Sequence, residues 1–239
     1  MTIETASSSE ITDHFIPELF FDYLFISEGT IKAVEPSRET DVSLPRECLK
    51  TIHTRPTTFL YSTPCVLFGA RFSLRFAELF WEKELPSNSF LKQNWMEINT
   101  NDLESFGDQV IRYVQEHQDR KTAYPMLKHN LDESDWLVHF SSRHKRRLYK
   151  TVFGVSKKDL QNIQNIHSFL EQTCDFSSEN PRIIQYINAD VFHDQPHLNH
   201  AFRNMTGFSP VEYFEANSIL QDNLMSASYN EFPSGVDIL

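Results

Sequence analysis

Cysteine is scarce in this chain of 239 residues, and the three that occur are poorly spaced for a disulfide framework. Cys48, Cys65 and Cys174 are far apart and odd in number, which is typical of reduced thiols in a cytoplasm. Long apolar runs are also missing, because the most apolar segment, 15–26, is interrupted by a proline and two acidic residues. We therefore expect no membrane span, and the acidic N-terminus does not predict a signal peptide.

Signatures of catalysis are lacking as well. The sequence contains no glycine-rich phosphate loop, no nucleophile motif and no metal-ligand cluster at convincing spacing, so it predicts neither an enzyme nor a cofactor. His193, His197 and His200 have helical spacing that could present a metal, but capping and groove-facing roles explain them better. Cys65 stands in an apolar run and is predicted to be a small core residue.

Net positive charge, which often marks a nucleic-acid-binding domain, is absent from the chain as a whole. The net charge is −11, and residues 1–140 supply most of the acidity. Within 141–158, however, seven residues are basic and none is acidic. They are Arg143, Lys145, Arg146, Arg147, Lys150, Lys157 and Lys158. The global charge thus conceals one local basic segment that could contact nucleic acid.

The first half consists of short apolar segments between turn signals. Four segments are predicted to be β-strands: 19–26, 31–34, 57–61 and 64–72. From Phe72 to Glu82 the apolar spacing becomes that of a short helix. A second helix is predicted from Leu103, Phe106, Val110, Ile111 and Val114, with Thr100 or Asp102 as its cap. The pattern predicts a β-rich domain over 1–120.

The second half contains a weak duplication, in 141–156 and 194–210. Each stretch begins with a helix-capping residue (Ser141 or Ser142, and Asp194) and carries an aromatic residue five positions before a glycine. An apolar residue and a serine then follow. Such a glycine is typical of a helix that ends in a left-handed residue. Each stretch therefore predicts one amphipathic helix with a sharp end.

Both predicted helices place polar side chains opposite an apolar stripe. On the first helix these are Arg143, Arg146, Arg147 and Lys150; on the second they are Gln195, Asn199, His200 and Arg203. In a major groove, arginine can bind guanine, and asparagine or glutamine can bind adenine, through paired hydrogen bonds. Between them, the apolar residues of 160–170 predict a helix of about three turns. It would separate two recognition helices for successive major grooves, roughly 34 Å apart.

This half resembles the DNA-binding domain of the AraC family of bacterial transcription regulators. The match covers about residues 130–215 and is carried mainly by Asp-Gln-Pro-His-Leu at 194–198 and Gly-Phe-Ser-Pro-Val-Glu-Tyr at 207–213. Pro64 to Phe72 is similar to the sensor domain that precedes this module in some relatives. The resemblance implies an α+β chain: a β-rich sensor-like domain, then an all-α double helix-turn-helix domain over 121–216, then a tail over 217–239.

The same resemblance implies a cytoplasmic, nucleoid-associated regulator whose partner is double-stranded promoter or operator DNA. A small-molecule effector, RNA polymerase and a second copy of the chain (a homodimer) are further candidate partners. The resemblance also implies that Arg143, Arg146 and Arg147 of the first unit face the groove. In the second unit it implies the same role for Gln195, Asn199 and His200.

Five positions depart from the family's pattern. Lys145 stands in place of a buried leucine and Lys157 in place of a proline, while Asp135 and His139 replace small residues and Val191 replaces a glycine. These departures and the net acidity leave an alternative open: a small-molecule or protein-binding module whose helix-turn-helix half does not bind DNA. They also leave open whether the first unit reads bases or contacts only phosphates.

Overall fold

The computed structural model describes residues 2–3, 11–34, 41–74, 85–92, 98, 100, 102–117, 140–173 and 194–215. Within these residues the strands are β1 (Thr2–Ile3), β2 (Ile11–Phe15), β3 (Phe20–Glu28), β4 (Ile31–Val34), β5 (Val42–Ser43), β6 (Glu47–Lys50), β7 (Thr57–Tyr61), β8 (Cys65–Ser73) and β9 (Phe90–Lys92). The helices are α1 (Leu103–His117), α2 (Ser142–Phe153), α3 (Lys157–Thr173), α4 (Gln195–Thr206) and α5 (Pro210–Glu215). The predicted order, strands first and helices later, is confirmed.

The described strands form two antiparallel sheets, ordered β1-β8-β3-β6-β9 and β2-β7-β4-β5. Strand β3 is buried on both faces because successive side chains of a strand point in opposite directions. Leu24 and Ile26 pack towards residues of the second sheet, such as Phe59. Phe21 and Phe25 pack instead in the core that includes the helices. The first sheet therefore lies between the second sheet and the helices.

The turn between β3 and β4 moves the chain from one sheet to the other. Gly29 has a φ of +82°, and a Cβ at this position would lie 2.5 Å from the carbonyl oxygen of Pro64. A side chain here would thus be both strained and in collision. The two strands predicted around this turn are present, but they pair with different neighbours.

Two details of the first half differ from the sequence prediction. Strand β8 continues to Ser73, so Phe72 belongs to a strand and not to the start of a helix. Residues 75–82 of that predicted helix lie outside the described residues. The strand prediction prevails at Phe72 because this residue pairs with Phe21 of β3, a contact that spacing along the chain does not reveal.

Helix α1 begins where the sequence predicted, with Asp102 as its cap. The Asp102 carboxylate accepts a hydrogen bond from the Ser105 amide at 2.9 Å. Its buried face consists of Phe106, Val110 and Val114. Leu103 and Ile111, which the spacing assigned to the same stripe, are 63% and 53% exposed. The buried stripe is therefore narrower than predicted.

A single apolar core joins the first sheet to the helices. It contains Phe25 and Phe68 of the sheet together with Phe106 of α1, Phe153 of α2 and Phe202 of α4. The domain boundary predicted near 120 lies outside the described residues and stays a prediction. Among the helices that the structure describes, none has the length and apolar character to cross a membrane.

Candidate nucleic-acid interface

Helix α2 begins and ends at the residues that the duplication indicated. The Ser141 hydroxyl accepts a hydrogen bond from the His144 amide at 3.3 Å, which selects Ser141 over Ser142 as the cap. Gly154 ends the helix with a φ of +76°. A Cβ on this glycine would lie 2.6 Å from the carbonyl oxygen of Leu85. Both its conformation and the close approach of the segment before β9 therefore require glycine.

Helix α4 also begins at a capping side chain and ends at a left-handed glycine. The Asp194 carboxylate accepts from the His197 amide at 2.8 Å, and Pro196 occupies the first turn, where no amide hydrogen is needed. Gly207 ends the helix with a φ of +84°. Both α2 and α4 have twelve residues, so the weak duplication in sequence corresponds to two similar capped helices.

Helix α3 lies between α2 and α4 in the sequence and is longer than predicted. It starts at Lys157 and has 17 residues, because Ser156 and Asp159 form reciprocal hydrogen bonds that begin the helix three residues before the apolar pattern. Its predicted apolar residues are buried: Leu160, Ile163, Ile166, Phe169 and Leu170. Phe169 meets Phe202 of α4 edge to face, with ring centroids 5.8 Å apart, so α3 and α4 are packed together.

All eight residues predicted to contact DNA are exposed: Arg143, Arg146, Arg147, Lys150, Gln195, Asn199, His200 and Arg203. The four on α2 line one open cleft of about 600 Å³, together with Ser141, His144 and Ser156. Residues that are three or four apart lie on the same side of a helix, which explains why the four basic side chains share this surface. The role of these eight residues as DNA contacts stays a prediction.

Two of the predicted contacts on α4 already have protein partners. Arg203 forms an ion pair with Glu212 of α5, with Nη2 and Oε2 3.0 Å apart, and His200 Nε2 lies 3.1 Å from Asn204 Nδ2. Glu212 also accepts from the Ser209 amide at 2.7 Å. The hydrogen bonds from Ser209 and then from Arg203 lower the pKa of Glu212 to about 2. Glu212 was missed in the sequence, although Ser209 three residues earlier forms a capping-box pattern with it.

The first helix of each predicted helix-turn-helix unit falls in 121–139 and 174–193, outside the described residues. The departures at Asp135, His139 and Val191, and the histidine at 193, lie there too. Lys145, which replaces a buried leucine of the family, is half-buried on α2. Within the described residues, no group of three or more histidine, cysteine or acidic side chains could hold a metal ion.

Contacts from the β-rich half hold α3 and α4 in place. His14 of β2 bonds to the Thr206 carbonyl at the end of α4, with Nε2 and O 2.9 Å apart. In the opposite direction, His167 Nε2 of α3 bonds to the carbonyl oxygen of Pro17 at 2.7 Å. Nothing in the sequence indicated these contacts, because 192 and 150 residues separate the partners.

A cavity of about 240 Å³ lies between the two sheets. Its apolar lining includes Phe15, Leu24, Phe59 and Leu67. One part of its wall is charged: Arg71 bonds to both carboxylate oxygens of Glu18, at 2.8 and 2.6 Å. The volume is slightly below the usual range for small-molecule pockets.

Asp22 completes this charged wall. It bonds to Lys50 Nζ at 2.7 Å and to Arg71 Nε at 2.8 Å. Burial by itself would raise the pKa of Asp22, but the charges of Lys50 and Arg71 and their hydrogen bonds hold it well below its ordinary value. These charges come from three different strands, so spacing along the chain could not predict that they would meet.

Comparison with known proteins gives no family assignment. No protein-family model matches the chain, and no curated protein matches it. Among solved structures, ToxT from Vibrio cholerae O395 has a TM-score of 0.42 and 14% identity over 87% of this chain and 98% of that chain. An apo ToxT variant from V. cholerae has a TM-score of 0.41 and 12% identity over 90% and 100%. Unsaturated fatty acid-bound ToxT has a TM-score of 0.36 and 10% identity over 89% and 97%.

Proposed function

We propose that this chain is a sequence-specific, DNA-binding transcription regulator of the AraC type. The observation that carries the proposal is the matched pair α2 and α4. Each helix is capped by a side chain at its start and ended by a left-handed glycine. Each packs its apolar stripe inward and exposes polar side chains that can reach base edges and phosphates.

The two helices have different parts in this proposal. Arg143, Arg146 and Arg147 make α2 a cationic surface, suited to phosphates and to guanine. Gln195 and Asn199 give α4 two exposed amides one turn apart, suited to adenine. Helix α4 therefore supplies more of the base discrimination, and α2 supplies more of the salt-dependent affinity.

Helix α3 sets the separation of the two recognition helices. Its 17 residues extend about 25 Å at 1.5 Å per residue. Successive major grooves on one face of DNA are about 34 Å apart, so a rigid helix of this length is suited to holding two units on neighbouring grooves. The cavity between the sheets is the place that we assign to a small-molecule effector. RNA polymerase and a second copy of the chain stay predicted partners.

Selection of genomic DNA fragments by the purified full-length chain, at two salt concentrations, tests this function. An asymmetric motif spanning about two helical turns would support a regulator that uses both units. A motif of one turn would mean that α2 contributes charge alone. Recovery of no motif by protein shown to be folded would reject DNA binding and favour the small-molecule or protein-binding module.

A control variant separates recognition of a DNA sequence from sequence-independent electrostatic attraction to DNA. Replacing Gln195 and Asn199 together by alanine leaves the charge of the chain unchanged. We expect this double variant to keep much of its affinity for random DNA and to lose enrichment of the motif. If the double variant enriched the same motif as the wild type, α4 would not be a recognition helix.

A further inference from the structure

An open cleft of about 520 Å³ lies beside the C-terminal half of α4. One wall comes from the loop before β7, with Arg55 and Pro56, and the other comes from α3 and α4, with Asn162, Arg203 and Asn204. The cleft therefore combines side chains of the β-rich half with side chains of the proposed second recognition helix. We name it the α4 cleft.

The loop that carries Arg55 is held firmly against α4. On one side, the Thr54 amide donates to Asn88 Oδ1 at 2.8 Å. On the other side, Pro56 is buried, and its Cγ would lie 3.7 Å from a Cβ on Gly207. Because both neighbours are fixed, the backbone of Arg55 has a defined position at the end of α4.

Two arginines, Arg55 and Arg203, and two asparagines line the α4 cleft. Arg55 is exposed and forms no ion pair or hydrogen bond with any residue in the described ranges. The acidic residue that lines the cleft, Asp159, accepts hydrogen bonds from the amide and hydroxyl of Ser156 at 2.9 and 2.6 Å. Asp159 is therefore engaged in beginning α3. Arg55 keeps its charge and its donors available to a ligand with anionic oxygens.

We propose that Arg55 binds a phosphate of the DNA backbone, so that the β-rich half forms part of the DNA interface. The proposal rests on the proposed function and extends it to a residue outside the two helix-turn-helix units. Gln195, Asn199 and Arg203 are four residues apart and lie on one side of α4, along about 12 Å of the helix. The row of polar side chains that they form ends at Arg203 in the α4 cleft, which Arg55 also lines.

Groove dimensions explain why a phosphate would reach Arg55. The major groove is about 12 Å wide, and a phosphate backbone runs along each edge. The row of polar side chains on α4 has a similar length, so the end of α4 would lie close to one of these edges. The α4 cleft is open and is lined by Arg203, which is exposed on α4, and this suits a phosphate on a long duplex better than a small anion that needs enclosure.

The test compares the salt dependence of DNA binding by the full-length wild type, Arg55→Gln and Lys32→Gln. Lys32 is also an exposed cation of the β-rich half, on β4, and it does not line the cleft. Each substitution therefore removes one positive charge. The probe is a 30-base-pair duplex carrying the motif recovered by genomic selection, titrated between 50 and 200 mM salt.

We expect Arg55→Gln to reduce the slope of log affinity against log salt by about 0.9, the value of one phosphate contact. The wild type would then lose about 3.5-fold more affinity than Arg55→Gln over this fourfold change in salt. Lys32→Gln should keep the wild-type slope, and Arg55→Lys should largely restore it. Equal slopes for Arg55→Gln and the wild type would overturn the proposal.

Two further outcomes have distinct meanings. If the wild type binds no DNA, the proposed function fails, and the role of Arg55 fails with it. A second arm measures thermal unfolding with inorganic phosphate at constant ionic strength. Stabilisation of the wild type but not of Arg55→Gln, together with equal DNA slopes, would overturn the proposal in favour of a free-anion site.

Discussion

His14 and Thr206 join the β-rich half to the end of α4. His14 Nε2 lies 2.9 Å from the Thr206 carbonyl oxygen, at the last residue of α4. A carbonyl can only accept, so Nε2 must carry a hydrogen, and in the neutral ring Nδ1 accepts from Thr58 Oγ1 at 3.0 Å. The last carbonyls of a helix lack partners within the helix, and His14 supplies one from another part of the chain.

Replacing His14 by alanine should lower the free energy of unfolding by about 1–3 kcal/mol, because the Thr206 carbonyl loses its partner in a partly buried place. The edge-to-face contact with Phe208, with ring centroids 5.5 Å apart, would be lost too. Urea denaturation measures the change. His200→Ala, at an exposed site on α4, is the control and should shift stability by less than about 0.5 kcal/mol. Equal effects of the two substitutions would contradict a structural role for His14.

The strand that carries His14 also faces the cavity. Asp13 and Phe15 line the cavity, whereas His14 between them bonds to α4, since alternate residues of a strand point to opposite sides. Two residues after Phe15, the Pro17 carbonyl accepts from His167 of α3. One short segment therefore lies in contact with the cavity and with both α3 and α4.

The sequence predicted what depends on neighbours along the chain. The caps Ser141 and Asp194 and the helix-ending Gly154 and Gly207 are local features, because each involves residues within one or two turns. The exposure of the eight predicted contacts follows from helical spacing in the same way. Local patterns were therefore sufficient to predict where α2 and α4 begin and end and which of their residues are exposed.

Long-range contacts were not predictable from these patterns. Arg71 meets Asp22 across 49 positions of sequence, and His14 meets Thr206 across 192. No periodicity links such pairs. The exposure of Ile111 was missed for a related reason, because spacing identifies an apolar face but not how wide a strip its neighbours cover.

Gly154→Ala and Gly207→Ala form a matched pair that separates backbone strain from collision. Both glycines have left-handed φ values, so alanine at either position should cost about 1–2 kcal/mol. At Gly154 the new Cβ would also lie 2.6 Å from the Leu85 carbonyl oxygen, whereas at Gly207 the closest atom is 3.7 Å away. We expect Gly154→Ala to be clearly the more destabilising in thermal unfolding. The reverse order would show that the segment at Leu85 moves away freely.

Asp22→Asn should destabilise the protein by on the order of 3 kcal/mol at neutral pH, because it leaves Lys50 and Arg71 with one anion fewer in a buried site. The pKa of Asp22 is lowered in the folded chain. The stability that its charge contributes is therefore present above its unfolded pKa of about 3.9 and is lost as the pH falls below that value.

Urea denaturation of wild type and Asp22→Asn between pH 7 and pH 3 measures this contribution. The difference between the two proteins should be largest at neutral pH and should shrink at the acidic end. Asp41→Asn is the control, because Asp41 is exposed and does not line the cavity, so its effect on stability should be small throughout this range. A difference for Asp22→Asn that stays constant over this range would contradict a charged Asp22 in the cavity wall.

Arg146→Ala and Asn199→Ala should affect DNA binding in different ways. Arg146 lies in the cationic cleft of α2, so its loss should weaken binding to all sequences or relax one position, with a shallower salt slope. Asn199 carries no charge, so its loss should change which base is preferred and leave the salt slope unchanged. Competition against single-base variants of the selected motif measures both. Identical base preferences in Asn199→Ala and the wild type would remove Asn199 from the readout.

Glu212→Gln should strengthen DNA binding, in contrast to the losses expected for the basic residues. Glu212 holds Arg203 in an exposed ion pair, with Nη2 and Oε2 3.0 Å apart, and its negative charge lies beside the proposed DNA-binding face. Removing that charge frees Arg203 for a phosphate, so the salt slope should become steeper by up to about 0.9. Ser209→Ala is the control, because it removes a capping hydroxyl of α5 and leaves the Glu212 charge in place. If Ser209→Ala steepened the slope as much as Glu212→Gln, the effect would come from the loss of the α5 cap, and Arg203 would not be the cation released.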